Sequence, residues 1–385
     1  MPNPLYVIGA GRTDFKRNFR KEGKSLREMI VEAGRAALTD AGVEPADIQS
    51  AVVGNFAAGL YTRQLHLGSF VTDIDESLRG IPTLHTEAAC ASGGVAVLTG
   101  AQQVIGGLHD LVLVVGAEQQ KTMSPAEGAD VLAAAGDFAA EKAIFGEHMF
   151  PKLFARIAQM YMERYGLTER DLARVAARNY ANARRNPLAQ MRDAQLTLEQ
   201  ASVESEANRM IAAPLKLTDC SQITDGAAAI VLSSKPGKRS MRLAGYGHAT
   251  DHLPLERKAV PEFPIARRAA KRAFEMARLA PADIQAAEVH DCFSISQLIA
   301  MEILGFAGDG KAASKIDGPV NINPGGGLIG DGHPVGATGV RQVVEAFAHL
   351  TESAGARQVQ GVKNYLTFNM GGTMTTSVVT IWNKE

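Results

Sequence analysis

Four short segments of the chain combine reactive side chains with small or turn-forming residues. In the first, TEAACASGGVAVLTGAQQVIGG (86–107), small residues surround Cys90 and a helical pattern follows, so Cys90 is expected at a strand-to-helix turn. A helix N-terminus favours a thiolate, and small neighbours let a substrate carbonyl approach. Cys90 is therefore a candidate nucleophile, although a free cysteine is also often a small buried hydrophobic residue.

The second segment is NPGGGLIGDGHPVGATGVRQVVEAF (323–347), which has seven glycines between Pro324 and Val340. His333 stands between a glycine and a proline just before another predicted helix. This setting suits a catalytic base presented to a narrow cleft. The alternatives are an incidental surface histidine in a turn and a nucleotide-binding loop, and the latter is disfavoured because no GK[ST] follows.

The third segment, EVHDCFSISQL (288–298), sets His290, Asp291 and Cys292 at the C-terminal end of a predicted strand, where α/β proteins bind ligands. Metal binding is an alternative for these side chains, but no partner motif supports it, and we predict no metal site. The fourth segment, FNMGGTMTT (368–376), predicts a Gly-Gly turn. There Gly371 could present a backbone N–H group to an oxyanion, unless the segment is a plain hairpin turn.

The elements that must position these segments occur twice. The pentapeptide PADIQ stands at 45–49 and again at 281–285, and each copy follows a helical pattern and precedes a short apolar run. Duplication of one α/β unit explains this shared order better than chance. We divide the chain into an N-terminal half (1–118 and 219–235), a helix-rich insertion (119–218) and a C-terminal half (236–385).

Composition restricts the class of function. The 385 residues carry a net charge of −1, so there is no global basic field for nucleic acid. No apolar run is long enough to span a membrane, and the N-terminal residues do not have a signal-peptide pattern. The three cysteines, which include Cys220, are too few for a disulfide framework. Together these features predict a cytoplasmic protein.

The four segments together resemble the thiolase family across nearly the whole chain. The matching order is a cysteine in an ACASG context, DGAAA at 225–229, HDCF, GHPVGATG and a Gly-Gly turn near the C-terminus. The resemblance implies the α/β thiolase fold, with duplicated βαβαβαββ halves in αβαβα layers and a loop domain inserted in the first half. It also implies a CoA-dependent acyltransferase without a tightly bound cofactor, which uses CoA and acyl-CoA and forms a homodimer or a dimer of dimers.

Two departures from conventional thiolases indicate one branch of the family. Those enzymes carry Asn-Glu-Ala-Phe where this chain has the sequence His-Asp-Cys-Phe at 290–293, and a second catalytic cysteine where it has Asn369. Both differences resemble the branch related to the thiolase domain of sterol-carrier-protein thiolases, in which the HDCF cysteine serves as acid/base. The branch is diverse, which leaves the substrate undetermined.

The resemblance implies a role for each candidate residue. Cys90 would attack an acyl-CoA thioester, with His333 taking its proton. Cys292 would remove the α-proton of a second acyl-CoA, and His290 and His333 would donate to the enolate oxygen. The backbone N–H groups of Cys90 and Gly371 would hold the oxyanion of the acyl-transfer steps.

Two sets of residues are predicted to contact CoA. Ser221 resembles the family position that contacts pantetheine, and Cys220 beside it is predicted to be structural. The CoA phosphates are expected to meet Arg178, Arg184 and Arg185, here called the insertion arginines, although such residues are also typical of a solvated helix face.

Three alternatives stay open: a retro-aldolase acting on CoA thioesters, acyl transfer to a non-CoA carbon nucleophile, and a non-catalytic subunit associated with other acyl-CoA enzymes. Retro-aldolase relatives tend to lack the nucleophilic cysteine, so Cys90 disfavours the first. The presence of Cys90, His290, Cys292 and His333 together disfavours the last.

Overall fold

The computed structural model describes residues 3–385. Its helices are α1 (Leu26–Ala41), α2 (Ala58–Tyr61), α3 (Ser92–Ile105), α4 (Pro125–Ala133), α5 (Phe138–Phe145), α6 (Met149–Tyr165), α7 (Glu169–Ala183), α8 (Leu198–Ser202), α9 (Pro264–Ala277), α10 (Ser294–Ile303), α11 (Gly327–Gly330) and α12 (Thr338–Leu350). Its strands are β1 (Tyr6–Arg12), β2 (Ser50–Gly54), β3 (Thr83–Thr86), β4 (Leu111–Glu118), β5 (Met210–Ala212), β6 (Leu215–Lys216), β7 (Gly226–Ser233), β8 (Met241–Thr250), β9 (Ala286–Val289), β10 (Asn321–Ile322), β11 (Asn364–Gly371) and β12 (Thr376–Lys384).

Ten of these strands form one sheet made of two matching halves. The strand order is β10-β9-β11-β12-β8-β1-β7-β4-β2-β3, and the halves meet only where β1 pairs with β8 over two residue pairs. In each half the first strand lies at the junction, the second pairs in parallel with the third and fourth, and the fifth pairs antiparallel with the fourth and the first. The predicted duplication is confirmed.

The PADIQ repeats occupy equivalent places in the two halves. Both begin with a short 3₁₀ turn, at Pro45–Asp47 and at Pro281–Asp283, after α1 or α9 and before β2 or β9. Proline suits the first turn of such a helix because its fixed φ is already helical and its missing N–H would have no partner there. The predicted order of helix, turn and strand is therefore confirmed in both copies.

Helices cover the sheet in layers. α1 packs on β1 and β7, and α9 packs on β8 and β12. Between the two halves lie α3, against β2 and β4, and α12, against β11, β1 and β7, and these two helices also contact each other. The arrangement is the αβαβα layering of a thiolase fold. Because α3 follows Cys90 and α12 follows His333, the two central helices begin beside each other at the candidate site.

Five helices and a short β-hairpin separate β4 from β7. They are α4 to α8, β5 and β6, and the longest of them are the helices α6 and α7. None of the helices in residues 3–385 has the length and apolar character needed to cross a bilayer.

Candidate active site

Cys90 lies in a tight turn between β3 and α3. The preceding Ala89 has a φ of 50°, in the left-handed region that few non-glycine residues adopt. The hydroxyl of Ser92 stabilises this turn because it accepts from Ala88 N at 2.9 Å and donates to Ala89 O at 2.6 Å. The turn directs Cys90 to the start of α3, as the sequence predicts.

The environment of the Cys90 thiol differs from the sequence expectation. We expected the helix N-terminus to favour a thiolate, but burial raises the pKa of the Cys90 thiol to about 12, and the nearby Glu118 raises it further. The backbone N–H of Gly372 donates to the sulfur and opposes this shift. Only 4% of Cys90 is exposed, so desolvation outweighs the helix terminus. The resting group is a thiol, which needs a base to become a nucleophile.

His290 and His333 both lie beside this thiol. The Cys90 sulfur and one ring nitrogen of each histidine all lie within 4.8 Å of one another. The two imidazole rings are 5.1 Å apart between centroids and perpendicular to each other. Sulfur and imidazole nitrogen are also ligand types that Zn²⁺ prefers, so the three groups could hold that ion if it were offered.

Burial keeps both histidines neutral. It lowers the pKa of His333 to about 3, and the charge of the buried Arg341 lowers it further. It also lowers the pKa of His290 well below its usual value, and His333 and Arg341 add to this effect. A neutral imidazole can accept a proton at one nitrogen and donate from the other, so each histidine can act as base or as donor.

Two neighbouring residues of the HDCF segment, Asp291 and Cys292, have different surroundings. Cys292 is 4% exposed, and its sulfur lies 3.8 Å from Ser296 Oγ. Burial raises the pKa of its thiol well above the usual value, and the neighbouring Cys90 adds to the shift. Asp291 instead accepts from the backbone N–H groups of Leu328 and Ile329, at 2.6 and 3.2 Å. Asp291 therefore fixes the glycine-rich segment that precedes His333.

The Gly-Gly turn after β11 reaches the Cys90 turn. A Cβ atom at Gly371 would lie 2.2 Å from Ala88 O, so only glycine fits this approach. Gly372 has a φ of 62° and supplies the N–H that contacts the Cys90 sulfur. Lys258 stabilises the turn, because its ammonium donates to the carbonyl and hydroxyl oxygens of Thr373 and to the hydroxyl oxygen of Thr375. The segment therefore presents the backbone N–H of Gly372 to the site, and the oxyanion role of Gly371 stays a prediction.

A cavity of about 230 Å³ opens onto these groups. Cys90, Cys292, His333 and Ser221 are among its lining residues, and Ser221 N donates to Cys292 O at 2.9 Å. Cys220 also lines the cavity, although it is predicted to be structural. Its buried thiol contacts Lys216 O at 3.3 Å, a bond that an S–H group can donate. Ser221 therefore lies on the wall of the cavity that contains Cys90, and its contact with pantetheine stays a prediction.

The insertion arginines lie elsewhere. Arg178 forms an ion pair with Asp317, Arg185 donates to Asn182 Oδ1 at 2.6 Å, and Arg184 is exposed after the end of α7. None of the three lines the cavity that contains Cys90. The basic residue on the cavity wall is Arg209, which is exposed.

Sequence reasoning also missed two buried polar residues. Glu118, at the end of β4, accepts from Asn55 Nδ2 and from the backbone N–H groups of Phe56, Ala57 and Gly336, at 2.9 to 3.3 Å. It therefore connects the loop after β2 to the loop that carries His333. Asn369 contacts both Cys90 and His290. The sequence marks Asn369 only as the position of a missing cysteine, and no local pattern predicts the contacts of either residue, because their partners are distant in sequence.

A duplicated α/β sheet in which the loops before two central helices bring a cysteine and a histidine to one cavity, with a second histidine beside them, defines a protein of the thiolase type. The family described as "Thiolase, N-terminal domain" matches residues 5–236, and "Thiolase C-terminal domain-like" matches residues 247–384. An acetyl-CoA acetyltransferase of Methanothermobacter thermautotrophicus is 39% identical over 98% of this chain and 99% of its own length.

Two further similarities concern the branch and the fold. Sterol carrier protein 2 of Oryctolagus cuniculus is 30% identical over 95% of this chain and 70% of its own length. A structure described as "Ltp2-ChsH2(DUF35) aldolase" superposes with a TM-score of 0.83 at 24% identity, covering 98% of both chains. The chain belongs to the thiolase superfamily, in the branch related to sterol-carrier-protein thiolases, and it is an enzyme.

Proposed function

We propose that this protein is a CoA-dependent acyltransferase that performs thiolysis of a 3-oxoacyl-CoA, or the reverse Claisen condensation, through an acyl group on Cys90. The observation that carries this proposal is that the Cys90 sulfur and a nitrogen of each histidine lie within 4.8 Å of one another. The acetyl-CoA acetyltransferase relative supports the substrate class. Cys292 on the wall of the same cavity supplies the second thiol that carbon–carbon chemistry requires.

In the first half-reaction His333 takes the proton of Cys90, and the thiolate attacks the thioester carbonyl. A thiol whose pKa is about 12 is almost entirely protonated at neutral pH, so this transfer must accompany the attack. The backbone N–H groups of Cys90 and Gly371 would hold the oxyanion, and one such donor contributes about 3 kcal/mol. The CoA thiolate then leaves with the proton, and the acyl group stays on Cys90.

In the second half-reaction Cys292 removes the α-proton of another acyl-CoA, and a histidine N–H stabilises the enolate oxygen. The carbanion attacks the acyl group on Cys90 and expels the Cys90 thiolate, which takes the proton that Cys292 had removed, so that both sulfurs return to their starting states. Cys292 suits this step because a buried thiol with a raised pKa forms a strong base once ionised. Run backwards, the same groups cleave a 3-oxoacyl-CoA.

The CoA chain would enter along the surface of the insertion. A second cavity, of about 610 Å³, shares Leu217 and Gln222 with the cavity at Cys90, so an extended pantetheine chain could run from one to the other. Arg209 stands on the same wall and would meet a phosphate, while Ser221 would contact the pantetheine. We therefore propose that residues 119–218 form the loop domain that binds CoA, and that CoA enters as a substrate.

We also propose that the enzyme is a homodimer that pairs through the free edge of its sheet. Of the two edge strands, β10 and β3, the one proposed is β3, where Leu84 is 48% exposed. Leu60 and Leu65, in and after α2, are 55% and 68% exposed. An unpaired edge beside apolar side chains favours pairing with a second chain. The cytoplasmic location expected from the sequence stays a prediction.

Intact-protein mass spectrometry after incubation with acetyl-CoA and with longer acyl-CoAs tests the proposed function. Wild type should gain one acyl mass, Cys90→Ala should gain none, and peptide mapping should locate the group on Cys90. One structural neighbour is described as an aldolase, so retro-aldol cleavage of a 3-hydroxyacyl-CoA is tested in parallel. Release of a carbonyl compound by a protein that forms no acyl adduct would replace the proposed function with that one.

A further inference from the structure

Each of the two active-site histidines forms a hydrogen bond through its Nδ1 atom, but the partner side chains differ. Asn369 Nδ2 lies 3.1 Å from Nδ1 of His290, and Thr338 Oγ1 lies 2.7 Å from Nδ1 of His333. A neutral imidazole carries hydrogen on one nitrogen and a lone pair on the other. The partner at Nδ1 therefore decides whether Nε2 is a donor or an acceptor.

The orientation of the Asn369 amide is fixed by two backbone groups. Its Oδ1 accepts from Gly94 N at 3.0 Å, and its Nδ2 donates to Cys90 O at 2.9 Å. A backbone N–H only donates and a carbonyl oxygen only accepts, so the amide cannot be turned the other way. Its second Nδ2 hydrogen then donates to Nδ1 of His290. Nδ1 must accept, and the His290 hydrogen stands on Nε2.

That Nε2 atom is buried and has no hydrogen-bond partner among residues 3–385. His290 is completely buried, and a ring nitrogen of it lies within 4.8 Å of the Cys90 sulfur. A buried N–H without a partner is costly, and such groups occur where a ligand completes the bond. The developing oxygen of a substrate is a suitable partner.

His333 has the opposite arrangement. The single hydrogen of the Thr338 hydroxyl donates to Pro334 O at 3.1 Å. Thr338 Oγ1 can then only accept from His333, so the hydrogen of His333 stands on Nδ1 and its Nε2 carries a lone pair. A lone pair beside Cys90 suits a base that takes the thiol proton.

We propose that Asn369 and Thr338 are positioning residues that hold His290 and His333 in opposite tautomers, so that His290 donates to the substrate oxygen and His333 accepts the proton of Cys90. During acylation the proton moves from Cys90 Sγ to His333 Nε2 and then to the departing CoA thiolate, which restores both tautomers. The catalytic consequence rests on the proposed function, but the tautomers do not depend on it.

The surroundings of Asn369 show that this position is built for an amide. A Cβ atom at Gly94 would lie 2.7 Å from Asn369 Oδ1, and one at Gly339 would lie 2.3 Å from it. Both glycines leave room for the side chain. An aspartate has the same shape, but it would accept at Nδ1 of His290 and draw the hydrogen away from Nε2. Asn369→Asp therefore changes the tautomer while it preserves the volume.

Nitrogen-15 NMR of the full chain with labelled histidine tests the tautomers directly. Wild type should show His290 with hydrogen on Nε2 and His333 with hydrogen on Nδ1 from pH 6 to 8, with signals assigned through His290→Asn and His333→Asn. The proposal is overturned if the two histidines have the same tautomer or if either is an imidazolium. This measurement needs no substrate, so it remains decisive if no acyl-enzyme forms and the proposed function fails.

Two matched variants test the consequences. Asn369→Asp should move the His290 hydrogen to Nδ1 and slow the exchange of acetyl-CoA α-protons by about 10²–10³-fold, the usual effect of losing one oxyanion donor. Acylation of Cys90 should slow much less. Thr338→Val should slow acylation by about 10²-fold or more, as expected for a disturbed general base, and leave the His290 tautomer unchanged. Equal losses in both half-reactions for both variants would show that the residues act only through packing.

Discussion

Replacing Cys292 with alanine should separate acyl transfer from carbon–carbon chemistry. Burial raises the pKa of the Cys292 thiol, and the Cys90 thiol beside it adds to the shift. In the proposed mechanism the first half-reaction uses Cys90 and His333, whose sulfur and ring nitrogen lie within 4.8 Å of each other, and only the second half-reaction uses Cys292.

The size of the effect follows from the two roles of the sulfur. A positioned general base contributes about 10²–10⁴-fold, or roughly 3–5 kcal/mol of barrier. The sulfur lies 3.8 Å from Ser296 Oγ, a long and weak hydrogen bond, so its deletion mainly removes one buried atom and costs about 1 kcal/mol of stability. Cys292→Ala should thus stay folded, acylate Cys90 at a near-normal rate, and lose α-proton exchange by about 10²–10⁴-fold.

The assay measures the half-reactions apart, with acylation followed by mass and exchange of acetyl-CoA α-protons followed in deuterated water. In wild type the exchange rate should rise from pH 7 to 9, because only the thiolate of Cys292 is a base and its pKa is raised. Cys220→Ala is the matched control, since Cys220 is also buried and lines the same cavity. Wild-type exchange in Cys292→Ala would refute the assignment and leave a histidine as the base.

Three other expectations concern CoA, the catalytic loops and assembly. Arg209→Ala should raise the Kd for CoA by about tenfold in a calorimetric titration at low salt, and the effect should shrink as salt rises. If only the triple alanine variant of the insertion arginines loses affinity, CoA binds at the surface of α7 that was predicted from the sequence. Glu118→Gln replaces one carboxylate oxygen with an NH₂ group that faces two N–H donors. It should therefore lower the free energy of unfolding by about 1–3 kcal/mol in denaturant titrations. An unchanged unfolding midpoint would contradict this hydrogen-bond arrangement. Light scattering at micromolar concentration should give a dimer, and Leu84→Lys should shift it toward monomer; a wild-type monomer would contradict the edge-pairing proposal.

The fold could be predicted because its signals are local and occur twice. PADIQ lies after a helix and before a buried strand in both halves, and each of those elements has its own periodicity. The order of the strands in the sheet was less accessible from periodicity alone, because it depends on which strands pair across the chain. The thiolase resemblance supplied that information, and the strand pairing confirms it.

The site could be predicted in part, for a similar reason. Cys90, His290, Cys292 and His333 stand in motifs with unusual local composition, and the structure brings them together. The contacts of basic residues could not be predicted in this way. Helical periodicity places Arg178 on a face of α7, but it does not say which carboxylate lies opposite, and Asp317 comes from a distant loop. Arg209 has no such partner among residues 3–385, yet its local sequence is unremarkable.

The role of Asn369 could not be predicted from the sequence, because the missing cysteine draws attention away from the contacts that the asparagine makes. From sequence it marks only the absence of the cysteine that conventional thiolases carry there. In the structure its amide bonds to Gly94, Cys90 and His290 at once. A thiol has a single hydrogen, so a cysteine at 369 could not donate to both Cys90 O and His290 Nδ1.

The differences from conventional thiolases at positions 290, 292 and 369 are therefore best explained as one coupled change. A histidine at 290 acts as a donor only if a neighbouring group fixes its tautomer. An asparagine can occupy position 369 and fix that tautomer only if the acid/base thiol lies elsewhere in the chain, at 292. Coupling of this kind predicts strong non-additivity. Asn369→Ala should slow α-proton exchange by about 10²-fold in the wild-type background, the scale of one lost donor. It should have almost no further effect once His290 has been replaced by asparagine, because an asparagine there has no tautomer to fix. Equal effects of Asn369→Ala in the two backgrounds, measured by exchange in deuterated water, would show that the residues changed independently.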